Sequence, residues 1–88
     1  MRLVFTPQGW EDYQYWQGAD RAVLKRVNRL LDDALRHPTE GIGKPEPLRG
    51  DLSGYWSRRI DDTNRLVYRA TDAELVVIAC RFHYGRES

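Results

Sequence analysis

The chain has few of the residues that build redox and metal sites. Cys80 is its only cysteine, so an internal disulfide and a cysteine-built metal cluster are both excluded. Histidine occurs twice, at His37 and His83, and no HExxH or CxxC spacing is present, so no metal or other cofactor is expected. Long hydrophobic runs are missing too. The longest, Leu75 to Cys80, is far short of the roughly 18 residues a membrane-spanning helix needs. The N-terminus turns polar after Phe5 and leaves no signal-peptide core, so a cytoplasmic location without membrane contact is expected. Internal repeats and low-complexity segments are also lacking. What remains is 88 residues, 41% hydrophobic and 31% charged, too apolar for disorder and too short for two cores, so one domain spanning residues 1–88 is expected.

A net charge of +1 argues at first against a polyanionic partner. The composition of that charge argues otherwise. Twelve of the fourteen cations are Arg, whose planar fork suits phosphate and base edges, so an average near zero can hide a basic face. The location of the arginines decides between the two.

Arg2 to Phe5 is a short β-prone run ending at Thr6-Pro7, a helix-starting pair. A first helix is expected from Pro7 to about Gln17, with Trp10, Tyr13 and Trp16 three residues apart and Gly18 at its end. Asp20 caps a second helix over Arg21 to His37. There Val23, Val27, Leu30, Leu31 and Ala34 follow the helical period and Pro38 enforces a stop. Lys25, Arg26 and Arg29 fall mostly off the apolar stripe, where a solvated face is the ordinary reading. Thr39 to Gly54, with Gly41, Gly43, Pro45, Pro47, Gly50 and Gly54, is expected to be a long ordered loop with one helical turn near Leu48. Three strands follow, Tyr55 to Asp61, Arg65 to Thr71 and Glu74 to Phe82, joined by turns at Asp61-Asp62-Thr63-Asn64 and around Asp72-Ala73. The order predicts an α+β fold, two N-terminal helices packed on a small, largely antiparallel sheet.

Strand side chains alternate, so parity sorts the meander into two faces. Even positions give Trp56, Ile60, Leu66, Tyr68, Ala70, Val76, Ile78, Cys80 and Phe82, the expected core face. Odd positions gather Ser57, Arg59, Arg65, Val67, Arg69, Leu75, Val77, Ala79, Arg81 and His83. A charged, solvated sheet face is one explanation. Clustered cations repel one another, however, so a phosphate-bearing ligand explains the second face better.

Cleaving RNA without a metal requires a base for the 2′-hydroxyl proton, cations for the charge building on the phosphate, and an acid for the departing 5′-oxygen. A carboxylate, arginines and a histidine supply these roles. Glu46 is the candidate carboxylate, because Pro45 and Pro47 restrict the backbone on both sides. His83 lies on the arginine parity, whereas His37 ends a helix, where a favourable dipole interaction accounts for it.

Lys44-Pro45-Glu46-Pro47-Leu48, Leu52 through Ile60 (LSGYWSRRI), Arg65-Leu66-Val67-Tyr68 and Ala79-Cys80-Arg81-Phe82-His83-Tyr84, with Trp10, Asp12, Tyr13, Tyr15 and Trp16, together resemble the YoeB toxins of the RelE superfamily. The resemblance covers nearly the whole chain. It implies a RelE-like fold of the microbial-RNase type and a toxin that cleaves mRNA in the ribosomal A site, held in check by a YefM-type antitoxin; on such a toxin the basic face at Lys25, Arg26 and Arg29 would engage ribosomal RNA. By position, Glu46 resembles the family's general base and His83 its general acid. Arg65 matches the cation that stabilises the transition state, Arg59 a phosphate contact, and Tyr84 the aromatic residue that orients the scissile nucleotide. Lys44, Arg49 and Arg81 complete the expected phosphate contacts, with Arg49 standing where the family commonly has Lys. The chain also continues past the His-Tyr pair through Gly85 to Ser88. Phe82, where Tyr is frequent, is expected on the core side.

Two other classes stay open. A non-catalytic RNA- or ribosome-binding module would use the same arginines but tolerate loss of Glu46 and His83. A protein-interaction module would use Trp10, Tyr13, Tyr15 and Trp16, and any of these left exposed would suit a homodimer surface.

Overall fold

Thr6 and Pro7 start the first helix as expected. Thr6 is extended (φ −71°, ψ 166°), its hydroxyl accepts from the Gly9 N–H at 3.1 Å, and Pro7 takes a position where no N–H is needed. A computed structural model of the chain, describing residues 1–82, shows this helix, α1, running over Pro7–Ala19. Gly18 therefore lies inside it. The stop comes instead at Asp20, which is extended (φ −161°, ψ 106°) and whose carboxylate accepts from the N–H groups of Ala22 and Val23 to open α2, Arg21–Arg36. One residue ends the first helix and caps the second. In α2, Val27, Leu30, Leu31 and Ala34 are buried, as their spacing predicts.

Five strands form one sheet: β1 (Arg2–Phe5), β2 (Glu46–Pro47), β3 (Trp56–Arg59), β4 (Arg65–Ala70) and β5 (Glu74–Ala79), in the order β1-β5-β4-β3-β2. The expected meander is its antiparallel centre. β1 adds to one edge in parallel with β5, and the two-residue β2 adds to the other edge. The helical turn in the long loop is a 3₁₀ turn at Gly50–Leu52, just beyond Leu48. Both helices cover one sheet face, so the fold is α+β as anticipated.

Trp16, Val27, Leu30, Leu31 and Ala34 from the helices meet Ile60, Leu66, Tyr68, Leu75, Val77 and Cys80 from the sheet side. Each fully buried aliphatic side chain here contributes about 1.5–3 kcal/mol relative to exposure. Polar bonds fix the docking of α1: Trp16 Nε1 donates to the Cys80 carbonyl at 2.7 Å, and the buried Asp12 carboxylate accepts from the Cys80 N–H at 3.0 Å. Among the described residues no helix is long and apolar enough to cross a membrane.

The parity expectation holds in β3 and β4 and fails in β5. Ala70 pairs with Leu75 and Tyr68 with Val77, so the second hairpin joins even positions to odd ones. Leu75 and Val77 therefore enter the core, and Val76 and Ile78 take the opposite face. A bulge then pairs Val67 with Ala79, which returns the even parity and places Cys80 in the core after all. Strand alternation carries no information about how many residues a turn or a bulge absorbs.

Candidate active site

Sheet register assembles the site. In β2, Glu46 stands opposite Ser57 and Pro47 opposite Trp56, an edge position where proline is tolerated. Ser57 in turn pairs with Val67, and Arg59 with Arg65. Cross-strand partners share a face, so Glu46, Ser57, Arg59 and Arg65 gather on the side away from the helices. The Arg65 guanidinium donates from Nη1 to Ser57 Oγ at 2.9 Å, and Ser57 is fully buried beneath it. Glu46 is exposed. Arg59 donates to Asp62 at 2.9 Å, but the Asp62 side chain is 98% exposed, so the pair is weak and a phosphate can replace the carboxylate. Ser57 carried no assigned role in the sequence. Its odd parity beside Arg65 was the available signal.

Lys44 and Arg26 extend this surface. An open cleft of about 340 Å³ is lined by Arg26, Gly43, Lys44, Arg59, Ile60 and Asp61. Arg26 reaches across from α2 and donates to the Arg59 carbonyl at 3.1 Å, whereas Lys25 and Arg29 stay exposed on the helix. The three helix cations are therefore not placed alike. Arg49 lies with Glu46, Pro47 and Leu48 along a separate open groove.

Arg81 turns from the expected sheet face towards α1. Its guanidinium carbon lies 3.5 Å from the centroid of the Tyr15 ring on α1 and 4.4 Å from that of Phe82. β5 ends at Ala79, so alternation no longer applies two residues later and a cation–π contact directs the side chain instead. Phe82 is half-exposed rather than core-facing, with a left-handed φ of 64°. Its carbonyl accepts from the Arg65 N–H at 3.0 Å, which brings the end of the described chain beside Arg65. His83 and Tyr84 lie outside the described residues.

Residues 5–84 match the family model of the YoeB-like toxin of bacterial type II toxin-antitoxin systems. The chain belongs to this YoeB toxin family. It is 63% identical over 84 residues to Toxin YoeB of Streptomyces coelicolor, covering 96% of this chain and all of that one. The YoeB/ParE toxin from Agrobacterium tumefaciens superposes with a TM-score of 0.91 at 50% identity, covering 96% of this chain and 100% of that chain. A Staphylococcus aureus YoeB is similar in two structures, each 44% identical over 96% of this chain and 98% of that chain. One is a YoeB dimer (TM-score 0.89) and the other a heterotetrameric YoeB-YefM complex (TM-score 0.87).

Within this YoeB-family chain, Arg58 holds the loop that carries Lys44 and leads to Glu46. It falls on the core parity and is fully buried. It donates to Asp33 at 2.6 Å, to the Tyr68 hydroxyl at 2.9 Å, and to the carbonyls of His37 (2.6 Å), Glu40 (2.9 Å) and Ile42 (3.1 Å). Asp33 also accepts from the Ile42 N–H. The hydrogen bond from Arg58, followed by that from Ile42, holds the Asp33 carboxyl below its ordinary range. Gly43 closes the loop with φ 81°, where a Cβ would press on Leu30 and Arg58. An arginine on a core-facing strand position demands such partners. They lie on α2 and in the loop, where local pattern does not reveal them.

Proposed function

We propose that this YoeB-family chain is the toxin of a type II pair and acts as a ribosome-dependent endoribonuclease, cutting mRNA in the A site of cytoplasmic ribosomes without a metal or other cofactor. The observation that carries the reading is the gathering of Glu46, Arg59 and Arg65 on one sheet face, with Arg65 oriented by Ser57. A carboxylate beside two guanidinium groups suits a phosphodiester: the arginines bind the non-bridging oxygens, and the carboxylate accepts the proton of the neighbouring 2′-hydroxyl.

The reaction needs no external water. Glu46 takes the 2′-proton, the 2′-oxygen attacks phosphorus, and the bond to the 5′-oxygen breaks. His83 gives its proton to that oxygen, leaving a 2′,3′-cyclic phosphate and a free 5′-hydroxyl. Arg65 and Arg59 stabilise the charge on the pentacoordinate phosphate. Arg49, Lys44 and Arg81 bind flanking RNA, and Tyr84 orients the scissile nucleotide. Lys25, Arg26 and Arg29 engage ribosomal RNA.

A YefM-type antitoxin is the proposed protein partner, supported by the Staphylococcus aureus complex. An acidic antitoxin segment covering the arginine face would block the site by charge complementarity. The dimer of the same relative, and the half-exposed Trp10 at 47% exposure, support self-association of one domain spanning residues 1–88.

The test expresses wild type and Glu46→Gln in cells and maps mRNA 5′ ends against the reading frame. Cuts locked to codon position, carrying a 5′-hydroxyl and lost in the variant, are expected. Growth arrest with intact messages overturns the reading.

A further inference from the structure

The segment leading into His83 is tied down by a residue with no assigned role, Asn64. It lies in the turn between β3 and β4, and it is 8% exposed. Its side-chain amide is fully engaged. Oδ1 accepts from the Phe82 N–H at 2.6 Å, and Nδ2 donates to both oxygens of Asp61, at 3.1 and 3.2 Å. A backbone N–H only donates and an ionised carboxylate only accepts, so these partners determine which way the amide points. Asp61 is held in turn by the N–H groups of Thr63 (2.9 Å) and Asn64 (2.7 Å).

Phe82, the residue Asn64 grips, has a left-handed backbone with φ 64°. For a residue with a Cβ this conformation is unfavourable and persists only where neighbours enforce it. Hydrogen bonds from both sides contribute to this: the Phe82 N–H donates to the Asn64 side chain at 2.6 Å, and the Phe82 carbonyl accepts from the Arg65 N–H at 3.0 Å. Arg81, stacked on Tyr15, anchors the preceding residue to α1. The chain therefore turns sharply at Phe82, and consecutive residues Asn64 and Arg65 hold the two sides of that turn.

We infer that Asn64 is a positioning residue for proton transfer: it holds Phe82, the residue that precedes the proposed general acid in the chain, in its left-handed turn beside Arg65. The inference rests on the reading of His83 as that acid.

The test is single-turnover cleavage on mRNA-programmed ribosomes, with ribosome affinity and thermal unfolding measured alongside. Asn64→Ala is expected to slow cleavage about tenfold or more, as small misplacements of a reacting group do, while affinity stays within about threefold. In a His83→Gln background the same substitution should change the rate by less than about threefold, because its effect passes through the missing group. A purely structural role would cost the same factor in both backgrounds. The exchange Asp61→Asn with Asn64→Asp keeps an acceptor for the Phe82 N–H and a donor-acceptor pair within the turn. It should cleave within about threefold of wild type, so the inference does not depend on the alanine variant folding. Equal losses in both backgrounds, or wild-type cleavage by Asn64→Ala, overturn the role of Asn64 and leave His83 standing. So does a folded exchange variant slowed about tenfold or more. Wild-type cleavage by His83→Gln overturns both.

Discussion

Arg65 donates to the hydroxyl of Ser57 at 2.9 Å, from the neighbouring strand and over a serine with no exposed surface. The bond directs a guanidinium that solvent would otherwise leave free among several rotamers. Ser57→Ala keeps every charge at the site and removes only this direction. Single-turnover cleavage should fall about tenfold, while the stability cost stays near 1 kcal/mol, the ordinary worth of one such hydrogen bond. Rate and urea midpoint measured on the same preparation separate the two effects.

Removing Arg58 should be far more damaging to the fold. Arg58→Met leaves the His37, Glu40 and Ile42 carbonyls without that donor and the Tyr68 hydroxyl without one of its partners. Urea unfolding should show a loss of about 3 kcal/mol or more, as when one member of a buried pair is deleted. Tyr68→Phe, which removes a single hydroxyl bonded to Arg58 and the Pro38 carbonyl, should cost about 1–2 kcal/mol.

Acid should destabilise the protein through Asp33. Its folded pKa is lowered, chiefly by the hydrogen bond from Arg58, so the native state holds the carboxylate where the unfolded chain would already bind a proton. The resulting stabilisation is complete above the unfolded value near pH 4 and is lost as pH falls through the folded value. Urea midpoints between pH 6 and about 2.5 should decline, and Asp33→Asn should flatten part of that decline.

Cys80 should be chemically silent in the folded state. Burial, followed by repulsion from the Asp12 carboxylate, pushes its thiol up to about 12. At pH 8 iodoacetamide should label the protein only in denaturant. The neutral thiol favours the fold fully below its unfolded value near pH 9, and this contribution disappears as pH climbs towards the folded value.

The basic face of α2 should divide in function. Reversing Lys25 and Arg29 to Glu should weaken ribosome binding and flatten its salt dependence, by somewhat under one unit of slope for each phosphate no longer neutralised. Arg26→Glu should in addition slow cleavage, because Arg26 shares the cleft of Lys44 and contacts the Arg59 backbone. Unchanged affinity across several salt concentrations would identify Lys25 and Arg29 as solvated charge.

Most elements were legible in the chain because their signals are local. Thr6-Pro7 and Asp20 supply their own caps, the stripe from Val27 to Ala34 repeats at the helical period, and Glu46 is flanked by prolines. What escaped depends on counts and partners that alternation does not record. The second hairpin exchanged the faces of Leu75 and Val77 with those of Val76 and Ile78, and the bulge beyond Val77 restored the parity at Ala79. The end of β5 at Ala79 released Arg81 to Tyr15.

The sequence by itself determined the helices, the strand-rich second half, the arginine-heavy charge and the ordered motifs of the YoeB family. These follow from neighbours along the chain and from residue chemistry. Only the tertiary structure decided that Arg58 is structural while Arg59, its neighbour, faces the site. It also decided that Ser57 orients Arg65 and that Asn64 holds Phe82. Each depends on cross-strand register, on burial or on a side-chain partner distant in sequence, and these exist only once the helices have covered one sheet face and left the other to the arginines.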